Sequence, residues 1–333
     1  MTAFDWINRW SEDRDLICDR IRRQRAVLKI VIKSKDETTM LRKWIHHHLN
    51  IVGPHNIILF DNMSVESDTA DIYMESRFLV QFARFTGYQD TLHSTSDFPE
   101  LFEALRASSD YYMFLDTDEF LYWVHPGGHV ASDNSVVDLI TGRASSIFPG
   151  TWLSNVPYYD NRFYWCDRYG AMDPSWVWGI KWGKPIVSSK IDLVGQCRHN
   201  SELDRKFYSD CSCTNVFVAH LSTLSPKQRV AANVRKLRAL DIIAGDEGVS
   251  AILEIDAEHI SNELVKDYCN EVKAMANLEE CLTKESDDLQ EGAIKFGRDG
   301  VITFFEDHQR ALLEEYLSDA SRFISVLSRH ETV

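Results

Sequence analysis

Long apolar runs are absent from these 333 residues: no stretch of about eighteen uninterrupted apolar residues occurs, so no bilayer-spanning helix is expected. The amino-terminal stretch lacks a basic segment followed by an apolar core, so no secretory leader is read and a cytoplasmic location is expected. Basic residues are scarce relative to acidic ones, 36 Lys and Arg against 51 Asp and Glu, for a formal net charge of -15. That balance argues against nucleic acid as a partner, because phosphate-backbone binding needs a basic face. An anionic small substrate would have to be held by a metal or by local cations. Cysteine is sparse, with seven residues odd in number and scattered, which fits reduced thiols rather than a disulfide framework. Cys211-Ser212-Cys213 has no second pair at zinc spacing. Internal repeats and low-complexity tracts are missing too.

What is present is a chain long enough for one large α/β unit with an appendage, at 44% hydrophobic residues. Residues 4 to 25 read as an amphipathic helix in which Phe4, Trp6, Ile7 and Trp10 lead into an Arg-rich end of Arg20, Arg22, Arg23 and Arg25. Packing onto the domain is the favoured reading of that helix, and peripheral membrane contact is the second. Val27 to Ile32 form a near-continuous apolar strand, as in a buried parallel sheet. Met40, Leu41, Trp44, Ile45, His48, Leu49 and Val52 then recur on one helical face that Gly53-Pro54 ends. Strands at 56–60, 79–85 and 111–115 alternate with helices near 69–77 and 97–108, which is the signature of a doubly wound, mostly parallel sheet flanked by helices. Residues 130 to 222 are irregular and tryptophan-rich, and acidic amphipathic helices dominate after Gly245, with a short strand near 301–305.

Three polar segments follow apolar strands: Lys35-Asp36-Glu37, Asp61-Asn62-Met63-Ser64 and Asp116-Thr117-Asp118. In a parallel sheet they would gather at one edge, where α/β ligands sit. Two carboxylates at i, i+2 on extended backbone share a face and suit a hard divalent cation bridging to a phosphate. A solvated acidic turn is the ordinary reading of a lone Asp-x-Asp; the convergence of three segments sets this one apart.

The spacing Asp36-Glu37-x-x-x-Leu41-x-x-Trp44-Ile45-x-x-His48, then Gly53, Phe60-Asp61-Asn62-x-Ser64 and Leu115-Asp116-x-Asp118-Glu119-Phe120-Leu121 resembles glycosyltransferases of the family 2 and family 92 type, which have the GT-A fold. The resemblance covers residues 27 to 124 well and continues weakly to about 240. It implies a Rossmann-like GT-A unit with a helical C-terminal extension, divided as an N-terminal helix at 1–26, a nucleotide-sugar-binding half at 27–125, an acceptor-binding half at 126–245 and the extension at 246–333. It implies sugar transfer from a nucleotide-diphosphate sugar, UDP-linked by expectation, to the hydroxyl of a glycan or lipid-linked acceptor, as in cell-surface polysaccharide synthesis. Donor contacts would come from Lys35, Glu37, Asp61, Asn62, Ser64 and Asp116. Asp116, Asp118 and His220 would hold Mn²⁺ or Mg²⁺. Lys184 and His199 would lie on the acceptor side. Leu224 stands where a Lys is expected before Ser225; Lys227 and Arg229 on the first turn of the following helix could replace it at the diphosphate, a helix start also favouring an anion, and a solvated basic face that includes Arg235, Lys236 and Arg238 is the equal alternative.

An inverting reaction needs a carboxylate to take the acceptor proton. Asp160 is the first candidate for it and Asp173 the second. Two other readings compete. A phosphatase of the haloacid-dehalogenase kind also has a strand ending in Asp-x-Asp, but it places that motif on its first strand and wants Thr or Val where Phe120 stands. A non-catalytic sugar-nucleotide or glycan-binding protein on the same scaffold would keep the motif without turnover.

Overall fold

Apolar periodicity sets the order of elements. α1 (Trp10–Arg23) precedes β1 (Ala26–Ser34), whose last seven residues are all buried. α2 (Leu41–Val52) stops at Gly53, where φ is 74° and the N–H bonds back to the Leu49 carbonyl, a termination that favours glycine. β2 (Ile57–Asp61), α3 (Ser67–Ser76), β3 (Gln81–Arg84), α4 (Pro99–Ser108) and β4 (Ser109–Leu115) follow, with Pro99 in the first turn of α4, where its missing N–H costs nothing. The second half contains β5 (Glu119–Val124), β6 (Val130–Ala131), α5 (Ser135–Thr141), β7 (Ile147–Asn155), β8 (Arg162–Trp165), β9 (Gly183–Ser188) and β10 (Val216–His220). It is followed by α6 (Pro226–Ala239), α7 (Val249–Glu254), α8 (Glu263–Ala276), β11 (Ala293–Phe296) and β12 (Ile302–Phe304). The computed structural model describes residues 3–38, 40–124, 130–141, 147–155, 162–165, 183–208, 216–220, 226–244, 247–276, 293–296 and 302–304. Residues 305–333 of the expected helical extension lie outside this set.

The central strands run β3-β2-β1-β4, all parallel, so their carboxyl ends share one edge. β9 joins β4 antiparallel and carries the sheet on through β7, β8, β11 and β12. β10 lies parallel to β7 and antiparallel to β5. Alternation along the strands divides the core in two. Ile30, Ile32, Met113 and Leu115 face Trp44, Ile45 and Leu41 of α2, while Val31, Tyr112 and Phe114 face Ile17, Ile21, Leu101 and Leu105 of α1 and α4. α6, α7 and α8 bury a separate apolar cluster built on Leu237, Ile252, Val265, Cys269 and Val272.

One helix begins later than its sequence suggests. The periodic segment starts at residue 4, yet α1 begins at Trp10, because Arg84 N–H donates to the Asn8 carbonyl and Arg9 bridges Arg84. Residues 8 and 9 therefore cover the otherwise open edge of β3, a use of backbone that outweighs one more helical turn. Trp10 packs against Phe60 and Phe98 at centroid distances of 5.5 and 5.3 Å, so the helix's apolar face is docked on the domain. No helix among the described residues is long and apolar enough to cross a membrane.

β7 and β9 approach each other at two glycines. A Cβ on Gly183 would fall 2.1 Å from the Gly150 carbonyl oxygen, and its φ of +146° is one that L side chains rarely adopt. Gly183→Ala should therefore cost ~1–3 kcal/mol or more through overpacking and strain, read as a lower urea midpoint with an unchanged slope.

Candidate active site

β4 delivers Leu115 to the carboxyl edge of the parallel strands, and the chain then turns through Asp116-Thr117-Asp118 into β5. Two hydrogen bonds close the turn: Asp116 N–H donates to Glu119 Oε2 at 2.7 Å and Glu119 N–H donates to the Asp116 carbonyl at 3.1 Å. α2 holds the outgoing strand. Trp44 Nε1–H donates to the Glu119 carbonyl at 2.7 Å, and His47 Nε2 lies 2.7 Å from the Leu121 carbonyl. Leu121 N–H donates to His48 Nε2 at 3.3 Å, which assigns the proton to His48 Nδ1, 2.9 Å from the Trp44 carbonyl. Burial keeps both imidazoles neutral, His47 pushed down to about 4 and His48 well below its ordinary value. The Trp44 and His48 motif is thus a clamp on β5.

Cations compensate the carboxylates at the turn. Lys33 Nζ, at the end of β1, lies 3.2 Å from Asp116 Oδ1 and 2.6 Å from Asp90 Oδ1. Lys184 Nζ, from β9, lies 3.0 Å from Asp116 Oδ2 and 3.3 Å from Glu119 Oε2. Arg198 links Asp90, at 2.5 Å, to Glu202, at 3.2 Å. Burial opposes ionisation of Asp116, but Lys184 and Lys33 outweigh it and hold its carboxyl well below the usual range. Asp118 is also lowered, burial being outweighed by His220 beside it. Glu119, fully buried and farther from Lys184 than Asp116 is, goes the other way: burial pushes its carboxyl up to about 7.

His220 reaches this edge because β10 pairs antiparallel with β5 in a register that sets His220 opposite Glu119. Its Nε2 lies 3.6 Å from Asp118 Oδ2, and its ring stacks on Trp152 of β7 at 4.5 Å. His199 meets the same indole edge-on at 5.0 Å. The structure therefore brings together Asp116, Asp118, Lys184, His199 and His220 from four separate stretches of chain.

A second cluster forms beside it. Asp61 is fully buried: Arg84 Nε donates to it at 2.7 Å, Tyr73 O–H at 3.0 Å and Ser64 N–H at 3.1 Å. Ser64 Oγ accepts Asp36 N–H, and Asp36 Oδ1 accepts the N–H groups of Val65 and Glu66 just ahead of α3. Glu37 Oε1 accepts Met40 N–H at the start of α2, Asn62 donates to the Gly87 carbonyl and Lys35 is exposed. These residues build the crevice wall and cap two helices. Lys227 lies in the first turn of α6, its side chain outside the described set. Asp160 and Asp173 lie outside the described residues.

The donor set was tested against a divalent cation. Among the described residues no group of three His, Cys, Asp or Glu side chains is arranged to hold a metal ion, and Asp116 has a lysine on each oxygen. Asp118 and His220 do fit. A carboxylate and an imidazole side by side suit a divalent cation such as Mn²⁺ or Mg²⁺ that takes its other ligands from phosphate and water, and it is His220 Nε2, 3.6 Å from Asp118 Oδ2, that would share the ion. Lys33, Asp90, Arg198 and Glu119 belong to the site although the sequence reading gave them no role. Lys33 shares its strand with a second buried lysine, Lys29, so no local pattern marks it, and none marks Asp90 or Arg198.

No protein-family model and no curated protein sequence matches the chain. Solved structures similar to it include a cytidylyltransferase from Leptospira borgpetersenii serovar Hardjo-bovis, at 12% identity and TM-score 0.25 over 49% of this chain and 60% of that one, less than two thirds of its length. TarS from S. aureus in complex with UDP-GlcNAc is 10% identical with TM-score 0.34, over 90% of this chain and 83% of that one. The mannosyltransferase PcManGT from Pyrobaculum calidifontis, in complex with GDP-Man and Mn²⁺, is 10% identical with TM-score 0.32, over 90% and 88%. At such scores the likeness adds no weight to any reading of the site, which rests on its own geometry.

Removing Asp61 would leave the buried Arg84 guanidinium uncompensated, so Asp61→Ala should lose ~3–5 kcal/mol in denaturant unfolding. A second outcome concerns pH. Because Glu119 has a raised folded-state pKa, its contribution to stability is complete below the ordinary carboxylate value of 4.5 and is lost as pH rises through about 7. Glu119→Gln should flatten the fall in unfolding midpoint across that interval; a slope identical to that of the unmodified protein would show that Glu119 does not titrate there.

Proposed function

We propose that the chain is a metal-dependent glycosyltransferase, moving a sugar from a nucleotide-diphosphate sugar to an acceptor hydroxyl. The observation that carries this reading is the convergence of the Asp116-Thr117-Asp118 turn with His220 at the carboxyl edge of parallel strands, where α/β folds bind ligands. The sequence resemblance supplies the reaction class, and a UDP-sugar is the favoured donor. The proposed acceptor is a glycan or a lipid-linked saccharide, as in cell-surface polysaccharide synthesis.

In this reading the acceptor oxygen attacks the anomeric carbon, the bond from that carbon to the diphosphate oxygen breaks, and the nucleoside diphosphate leaves with the electron pair. A Mn²⁺ or Mg²⁺ held by Asp118 and His220 would supply positive charge for the leaving diphosphate. Lys33 and Lys184 keep Asp116 ionised and fixed at the edge of the crevice, where it meets the donor's ribose. The buried Trp152 backs His220, with His199 edge-on to the same indole, and so fixes the imidazole's orientation beside Asp118. The amino end of α6, which carries Lys227, adds helix-dipole charge toward the diphosphate. The acceptor proton passes to a carboxylate, for which Asp160 is the first candidate and Asp173 the second.

Asp118→Asn should abolish most Mn²⁺-dependent binding of a nucleotide sugar, since a neutral amide is a poorer ligand and leaves the diphosphate charge unbalanced. The measurement is thermal stabilisation by UDP-sugars with Mn²⁺ and with EDTA, followed by release of nucleoside diphosphate when acceptor is added. Unchanged metal dependence in the variant, or turnover indifferent to EDTA, would rule out the metal assignment. Binding without nucleotide release in the presence of acceptors would favour the non-catalytic binding protein.

A further inference from the structure

The arginines closing α1 take no part in the site above. They surround a surface cavity of about 290 Å³ at the opposite end of the parallel strands. Arg20 and Arg23 come from the last turns of α1, Arg77 from the end of α3, His55 from the turn before β2 and Gln81 from the first position of β3, with Trp6 on the wall. Every one precedes a strand whose carboxyl end faces the Asp116 turn. The nine residues of β1 alone separate the two regions by roughly 25 Å at ~3.3 Å per residue.

Charge makes the cavity unusual for this protein. In a chain of net charge -15 it is lined by three arginines and a histidine and by no Asp or Glu. Arg20 Nη2 donates to the Phe82 carbonyl at 3.0 Å, which holds its guanidinium at the cavity wall. Its positive charge acts at short range on whatever occupies the cavity. Arg23 has no carboxylate within ion-pair distance among the described residues, and Arg77 reaches only the Met74 carbonyl and the Phe78 ring, at 4.4 Å. Guanidinium forks match the paired oxygens of a phosphate. Next to the arginines the surface is apolar: Phe78 is 71% exposed, and Trp6 and Leu79 are each 40% exposed.

We propose that this cavity is a phosphate-binding site, taking a phosphate monoester carried either by a soluble molecule or by a lipid headgroup. Arg20 supplies the inner contact and Arg23 and Arg77 the outer ones. Phe78, Leu79 and Trp6 are placed to rest in the interfacial layer when the phosphate belongs to a lipid. The site is independent of the sugar-transfer reading and lies outside its machinery.

The full-length protein is titrated with inorganic phosphate in EDTA, which disables any metal-assisted phosphate binding at Asp118 and His220. In a parallel arm it is sedimented with phosphatidylcholine vesicles with and without phosphatidic acid. The variant is Arg23→Gln with Arg77→Gln, both exposed positions that leave the Arg20 contact to β3 in place. Phosphate affinity should fall about tenfold or more, as for loss of at least one charge-assisted hydrogen bond, while thermal unfolding and Mn²⁺-dependent nucleotide-sugar binding stay unchanged. Binding to phosphatidic acid vesicles that the variant loses assigns the lipid source; phosphate binding alone, lost in the variant, assigns a soluble ligand. No binding in either arm, or equal binding by the variant, would overturn the site.

Discussion

Carboxylates can be buried only where cations meet them, and that requirement organises the centre of this molecule. Asp116 and Glu119 sit at the break between β4 and β5 and are met by ammonium groups from two other strands, Lys33 on β1 and Lys184 on β9. Lys184 is fully buried, so β9 must lie close against β4, and its antiparallel pairing there joins the irregular second half to the parallel first half. The close contact of Gly150 and Gly183 between β7 and β9 serves the same arrangement. Electrostatic compensation and strand packing are here one constraint seen from two sides.

Backbone satisfaction is the second constraint. β5 lies off the main strand path, paired with β10 and, at its end, β6, and polar groups at its start would be stranded without α2. Trp44, His47 and His48 meet them with three side-chain contacts from a single helical face. Asp36 and Glu37 do comparable work at the starts of α3 and α2. Motif residues placed near a crevice thus divide into those that shape its walls and those that present groups to a ligand, and burial separates the two kinds. Asp61 is fully buried and bonded on both oxygens, whereas the side chains of Asp116 and Asp118 are each 31% exposed.

Much of this was legible in the sequence. The strand and helix alternation from residue 27 to 115 reappears in β1 to β4 and α2 to α4, because continuous apolar runs and a 3.6-residue period are local signals. The delivery of His220 by an apolar strand was legible for the same reason. Pairing across long separations was not. Lys184 lies 68 residues from Asp116 and Arg198 108 residues from Asp90, and no local pattern marks either pair. Nor does composition tell whether a polar residue at a strand end faces a ligand or a neighbouring helix. Asp61 and Asp118 follow apolar strands alike, and only the packing of Arg84 and Tyr73 over Asp61 distinguishes them.

The charges at the crevice also constrain what it can receive. Asp90, Asp116 and Glu119 face Lys33, Lys184 and Arg198, Arg198 is shared with Glu202, and Asp118 lies against His220 instead. Asp90, Asp116 and Glu202 alone already match Lys33, Lys184 and Arg198 one for one, before the part-ionised Glu119 is added. An incoming diphosphate that drew on Lys33 or Lys184 would compete for them with Asp116. In the proposed reaction the added negative charge would be met from the Asp118 and His220 side, by a divalent cation. On that balance the lysines belong to the protein's own carboxylates, and in the proposed reaction a metal would supply the charge that they do not.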